Sequence, residues 1–266
     1  MHASGSDVDV ALSAASAGAA VVRAAYGTEQ AHHAKSGHDF ATGADLEAER
    51  AILDVIATAR PHDTRVGEES GMASGSSSRR WLVDPLCGTL NFAAQTPLIA
   101  VNVALLDDSS CVACVCADPI ADEMFWTDGQ RAFRRHDGVD DQLRPTAESR
   151  LVEVNCDGPA DRQFLGPQLV ADAAFRTEFG LRVLSTTLAV AWVAAGRRAA
   201  YVSDGWFIDN VHFAAGIEIS RIAGCVITDL AGDPLNTGRG LIVAADEETS
   251  ARLVEIIRPH LRDVLA

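Results

Sequence analysis

The sequence predicts a layered α/β sandwich in two subdomains, and three observations carry that prediction. Two amphipathic helical patterns open the chain, short strand patterns fill residues 81–127, and strands and helices alternate over 151–264. An apolar sheet face or helix stripe must be covered by another layer, so this order of elements favours sheets packed between helices. The 266 residues suffice for one large domain or two modest ones sharing a core. The break falls at residues 144–149, between an N-terminal α+β subdomain, 1–146, and a C-terminal α/β subdomain, 147–266.

Ser6 caps a first helix in which Val8, Leu12, Ala15, Ala19 and Val22 recur at helical spacing, and which ends near Gly27. A polar stretch follows over 28–39, with His32 and His33 expected in solvent. The spacing predicts a second helix over 45–59 with Leu46, Ile52, Leu53 and Ile56 inward; Pro61, which lacks a backbone donor, stops it. Ser and Gly dominate 71–80, a surface loop. Strands follow at 81–83, 99–106, 111–117 and 123–127, with turns at 107–110 and 118–121. The second half reads as a strand at 151–155, helices at 161–173 and 186–196, and a strand at 199–203. A helix at 213–224, strands at 225–229 and 241–244, and a closing helix at 247–264 complete it.

Apolar residues make up 48% and charged residues 22%, the balance of a globular chain. A net charge of −15 argues against non-specific binding to nucleic acid or to an anionic membrane surface, both of which favour basic partners. An anionic ligand would then be held by local devices, such as helix N-termini or metal ions, against the field of the whole protein. No run of about 18 uncharged apolar residues marks a membrane span. The first residues lack a signal peptide's basic start and apolar core, so the six cysteines read as reduced thiols of a cytoplasmic protein. In Cys111-x-x-Cys114-x-Cys116, strand alternation sends Cys114 and Cys116 to one face and Cys111 to the other, as structural thiols rather than a zinc site.

The chemistry concentrates in Asp84-Pro85-Leu86-Cys87-Gly88-Thr89. A strand brings Asp84 to its end, Pro85 fixes a turn, and Gly88 permits close backbone approach. Thr89 opens a helix whose free N–H groups face the same point. A carboxylate beside such an anion-binding terminus suits a metal ion bridging protein and phosphate, and Glu68-Glu69 adds a second acidic pair upstream. Taken alone, the motif also fits solvated surface acids flanking a core strand.

The motif does not stand alone. The segment from Trp81 to Phe92 is accompanied by Asp39-x-x-Thr42-x-x-Asp45 and by Gly67-Glu68-Glu69-Ser70. Downstream lie Phe213-Ala-Ala-Gly216, Ala223-Gly224 and Thr228-Asp229-Leu-Ala-Gly232-Asp-Pro-Leu235. In order and spacing these blocks resemble the inositol-monophosphatase-like family. The resemblance implies an α-β-α-β-α sandwich of the inositol monophosphatase/fructose bisphosphatase type, a homodimer, and Mg²⁺-dependent hydrolysis of a phosphomonoester on a small polyol, sugar or nucleotide. At matching positions it implies that Glu68, Asp84 and the Leu86 carbonyl bind a first Mg²⁺. Asp45 and Thr89 would orient the attacking water, and Gly88 and Thr89 would cradle the phosphate. The N-terminal subdomain would hold most of this site and the C-terminal one would complete it.

Two positions depart from the family pattern. Cys87 stands where the family has the second Asp of D-P-x-D-G-T, and His212 where an Asp precedes x-A-A-G. Both acids would serve one second metal beside Asp84. Mg²⁺ prefers hard oxygen ligands, so a second ion is expected to be absent or weakened. Three readings stay open. The chain is a ligand-binding pseudo-phosphatase; or it remains a phosphatase with one Mg²⁺, or with a softer ion such as Zn²⁺ on Cys87, His212 and Asp84. Or it is a repurposed enzyme with Cys87 as nucleophile, its thiolate favoured by a helix N-terminus, and His212 as base. Phosphomonoester hydrolysis is the default. Residues 204–211 correspond to the region where the family meets the rest of its substrate. There Trp206, with Phe207, is either a binding wall or core, and Asp209 is a partner for hydroxyls or an amine. The family's acidic residue for inositol hydroxyls has no match, since Gly205 falls nearest to it.

Overall fold

A computed structural model describes residues 5–29, 32–34, 40–108, 110–158, 164–235 and 239–261. Asp39 and the side chains of His32 and His33 lie outside the described residues. The chain forms two compact units. The first gathers Met1–Gln142 with Thr186–Leu188 and Val211–Ile219, and the second holds the remainder. The first unit therefore takes two short segments that a division at 146/147 assigns to the C-terminal half.

The first unit opens with α1 (Asp7–Ala25), where Ser6 and Asp9 cap each other: the Asp9 N–H donates to the Ser6 hydroxyl and the Ser6 N–H to the Asp9 carboxylate. With 19 residues and a mean hydropathy of 1.4, α1 is long and apolar enough to cross a membrane by length and composition. Its Val10, Ala11, Leu12, Ala15, Ala19 and Val22 are buried in the unit's core, which marks it as a core helix. β1 (His32–Ala34) and β2 (Phe40–Thr42) form an antiparallel ribbon, and α2 (Gly43–Ala59) follows. A side-chain carbon on Gly18 of α1 would sit 2.6 Å from Ile52 of α2, so the two helices pack at the separation a glycine allows. Ile52 and Ile56 are buried as expected, but Leu46 is 44% exposed. Asp45 and Glu49 take the inward positions of the first turns, and Leu46, one residue beyond Asp45, is turned outward.

The strands β3 (Thr64–Gly67), β4 (Gly71–Ala73) and β5 (Arg79–Cys87) precede the short helix α3 (Thr89–Ala93). Then come β6 (Ala100–Asp107), β7 (Ser110–Asp118), β8 (Glu123–Thr127), β9 (Ala132–His136) and β10 (Val139–Gln142). They form one eight-stranded sheet in the order β10-β9-β8-β7-β6-β5-β3-β4, antiparallel except for the β3/β5 pair. Trp81, Val83, Val101, Val103, Leu105, Ala113, Val115 and Ala117 cluster with α1 and α2, which gives the sheet its covered face. A bulge between Leu105 and Leu106 pairs Cys111 with Leu106 and Ala113 with Leu105, leaving Val112 as the extra residue. This overturns the alternation expected for the cysteines: Cys111 shares a face with Cys114, and their sulfurs lie 3.2 Å apart.

The remaining elements are β11 (Leu151–Val154), α4 (Leu165–Ala171), α5 (Ala173–Glu178), β12 (Gly180–Val183), α6 (Leu188–Ala194), β13 (Ala200–Ser203), α7 (Ala214–Ala223), β14 (Val226–Thr228), β15 (Leu241–Ala244) and α8 (Glu247–Ile257). The second unit's five-stranded sheet runs β12-β11-β13-β15-β14, parallel across β12, β11 and β13 and antiparallel beyond. Val152, Val154, Leu169, Phe175, Ile242 and Leu253 build its core. The helix expected over 161–173 is short, and a second one restarts at Asp172, which is extended and accepts the Phe175 N–H; residues 161–163 lie outside the described residues. α8 ends before Pro259, as the residue preceding a proline disfavours helix.

Candidate metal and phosphate site

Parallel pairing of β3 with β5 sets Gly67 opposite Val83, so Glu68, just past the end of β3, comes beside Asp84 within β5. The Glu68 N–H extends the ladder, donating to the Val83 carbonyl at 3.1 Å. Pairing of β5 with β6 loses its regular register between Asp84 and Cys87, where Pro85 offers no donor. There the Leu86 N–H turns back to Asp84 Oδ1 at 3.1 Å. Gly88 takes φ +97°, left-handed backbone that suits glycine, and starts α3.

His212 joins these acids. Its Nδ1–H donates to Asp84 Oδ2 at 2.8 Å and lies 3.8 Å from Glu68 Oε2. Ligand atoms of Glu68, Asp84 and His212 all fall within 4.8 Å of one another, and Asp84 is fully buried. A metal ion suits two carboxylates this close. Hard oxygens from Glu68, Asp84 and the Leu86 carbonyl fit Mg²⁺. The second set, Asp84 with a thiol and an imidazole, does not.

The other side of the site is a hydrogen-bonded chain. Asp45 Oδ2 accepts the N–H and the hydroxyl of Thr42, both at 2.6 Å, and the Thr89 hydroxyl lies 3.2 Å from Asp45 Oδ1 and 3.3 Å from the Leu86 carbonyl. Burial raises the Asp45 carboxyl above its ordinary value, against the lowering effect of the Thr42 and Thr89 donors. The path Asp45–Thr89–Leu86–Asp84 thus links the expected water-orienting pair to the expected metal ligands.

Cys87 meets an environment opposite to the one a helix N-terminus was expected to give. Burial, then the neighbouring Asp84 charge, push its thiol well above the ordinary value, although Thr187 hydrogen-bonds to it. Thr187 is fully buried and also accepts from Asn102 Nδ2 at 2.8 Å. α3, at five residues, is a short source of dipole.

Glu49 had no place in the sequence reading. It is 3% exposed, and its two carboxylate oxygens accept the Glu69 and Ser70 N–H groups, each at 2.8 Å. A side-chain carbon on Gly67 would lie 2.5 Å from the Glu49 carboxylate. One buried acid therefore clamps the turn that presents Glu68. The signal available beforehand was the acid four residues after Asp45, on the same face of α2. Trp206 and Asp209 belong to the second unit. The pair Trp206–Phe207 divides: Phe207 is buried core and Trp206 is 62% exposed, while Asp209 is exposed at φ +51°.

The sequence matches the description "Inositol monophosphatase family" over residues 6–262. An inositol-1-monophosphatase of Caulobacter vibrioides is 32% identical over 237 residues, covering 84% of this chain and 89% of its own. The Nus factor SuhB of Escherichia coli K12 is 30% identical over 271 residues, covering 97% of this chain and 98% of its own. The expectation of no nucleic-acid partner came from charge alone and gains no support from relatives bearing that name. Among solved structures, the extragenic suppressor protein suhB of Bartonella henselae superimposes with a TM-score of 0.84 at 30% identity, over 94% of this chain and 97% of its own. The Thermotoga maritima IMPase shares the fold at a TM-score of 0.82 and 22% identity, over 96% of this chain and 98% of its own. The chain is an α/β protein of the inositol monophosphatase fold and belongs to the inositol monophosphatase family.

Proposed function

We propose that this protein is a cytoplasmic, homodimeric, Mg²⁺-dependent phosphatase of small phosphorylated metabolites (sugars, polyols or nucleotides) with a rebuilt second metal site. One observation carries the reading: the Glu68 carboxylate stands beside that of Asp84, and Asp84 leads through Leu86 and the Thr89 hydroxyl to Asp45. Those oxygens would hold a Mg²⁺ ion, which would supply positive charge for the phosphoryl group and the nucleophile. Asp45 and Thr89 then serve the nucleophile: the Thr89 hydroxyl fixes the Asp45 carboxylate, and Asp45, held from behind by Thr42, accepts hydrogen bonds from an attacking water. Gly88, with no side chain, and the N–H groups that open α3 leave backbone donors for phosphate oxygens. His212, fixed on Asp84, fills the place of an acid that would hold a second ion. With Gly205 where the family's inositol-contacting acid is expected, inositol phosphates are disfavoured within this substrate class.

The thiol-nucleophile reading is less favoured, because a Cys87 held protonated by burial and by Asp84 is a weak nucleophile at neutral pH. The test is phosphate release from a panel of sugar, inositol and nucleoside monophosphates, with Mg²⁺ and with chelator. Mg²⁺-dependent turnover that survives Cys87→Ala supports the proposal. No release from any member of the panel overturns it.

A further inference from the structure

We propose that Cys111 and Cys114 form a redox-active dithiol that a small-molecule disulfide oxidises to a disulfide within β7. The bulge at Val112 brings the pair together, where regular alternation would send the two side chains to opposite faces. Their sulfurs stand 3.2 Å apart, so a bond of about 2.05 Å requires a closure of about an ångström. Neither residue has a place in the metal and phosphate site.

Access fixes the order of events. Cys111 is partly exposed near the start of β7, whereas Cys114 is fully buried. The Cys111 thiolate attacks one sulfur of the incoming disulfide and releases one small thiol, giving a mixed disulfide on Cys111. Cys114 then gives up its proton, attacks the Cys111 sulfur and expels the second small thiol. Two protein thiols are oxidised, and one small disulfide is reduced to two thiols. Burial, then the hydrogen bond and charge of Cys111, raise the Cys114 thiol well above its ordinary value. Once Cys111 carries the mixed disulfide its charge is gone, so the effect of that neighbour is relieved at the step where Cys114 must ionise. A cross-link between two residues of one paired strand works against the ladder that holds them, which makes it a labile bond, readily reversed by excess thiol.

The test treats the native wild-type chain with oxidised glutathione, alkylates the remaining thiols after denaturation, and locates the modified cysteines by peptide fragmentation. The wild type should lose two of its six free thiols, retain no glutathione, and carry a Cys111–Cys114 link that excess dithiothreitol opens. Cys114→Ala should instead accumulate a stable glutathione adduct on Cys111, and Cys111→Ser should keep its Cys114 thiol free. A glutathione adduct that persists on wild-type Cys111, a link to Cys116 or Cys87, or six thiols left unreacted would each overturn the proposal. Because the wild type alone gives a decisive result, a poorly folding variant does not rescue it.

Discussion

The Asp45–Thr89 side of the site and the Cys87–His212 side are built on neighbouring turns of the same unit, yet they differ in kind. On the first side Thr42 donates twice to Asp45, and the single proton of the Thr89 hydroxyl stands within reach of both Asp45 and the Leu86 carbonyl. On the second, a thiol kept neutral and an imidazole replace two acids that the family pattern places there, and the imidazole is bound to the one acid left, Asp84. On the proposed function, the groups that would position a water and a first cation are kept, whereas Cys87 and His212, at the places of two acids of the family pattern, offer Mg²⁺ few hard oxygens.

The largest effect should come from the intact side. Asp45→Asn is expected to lower kcat by ~10²–10⁴-fold, the range for losing a positioned proton-accepting group, in a steady-state phosphate-release assay. The same variant should be more stable than wild type at neutral pH in chelator. The folded-state pKa of Asp45 is raised, so its contribution to stability is full below the ordinary value of 3.8 and declines as pH rises through the higher folded value. A neutral asparagine escapes that decline, and its advantage in Tm should vanish below pH 3.8. Equal stability at neutral pH would show that the Thr42 and Thr89 donors offset the burial of the charge.

A smaller effect is expected at the clamp behind Glu68. Glu49→Ala frees the Glu69 and Ser70 N–H groups and should weaken Mg²⁺ binding by about 10–100-fold, as losses behind a metal ligand commonly do, with binding read by calorimetry. An unchanged Mg²⁺ affinity would remove Glu49 from the account. The smallest effect belongs to Cys87. Cys87→Ala should leave kcat near the wild-type value and cost about 1 kcal/mol of stability, measured by urea unfolding. Loss of turnover without loss of folding would transfer the chemistry to the thiol and invert the comparison.

What the sequence disclosed follows from how local each cause is. The Ser6 cap, the apolar period of α1, and the strands β6, β7 and β8 are written in short windows, and they formed as expected. β9 and β10 were missed because His136, Asp140 and Asp141 and their neighbours lack an apolar alternation, and β10 is exposed throughout. Leu46 pointed outward because Asp45 and Glu49 occupy the inward face of α2 for reasons of chemistry rather than packing. The bulge at Val112 has no local signature, so the Cys111–Cys114 contact was invisible before the register was known. The candidate metal ligands are legible only as a set of separated blocks. What brings Glu68 beside Asp84 is the parallel pairing of β3 with β5, and what adds His212 is the segment Val211–Ile219 joining the first unit.

The most direct test of the central claim is the number of Mg²⁺ ions bound per chain, measured by equilibrium dialysis with inorganic phosphate, in the wild type and in a Cys87→Asp/His212→Asp double variant. The wild type should bind one ion and the double variant a second. Two ions of comparable affinity on the wild type, or no gain in the double variant, would contradict it.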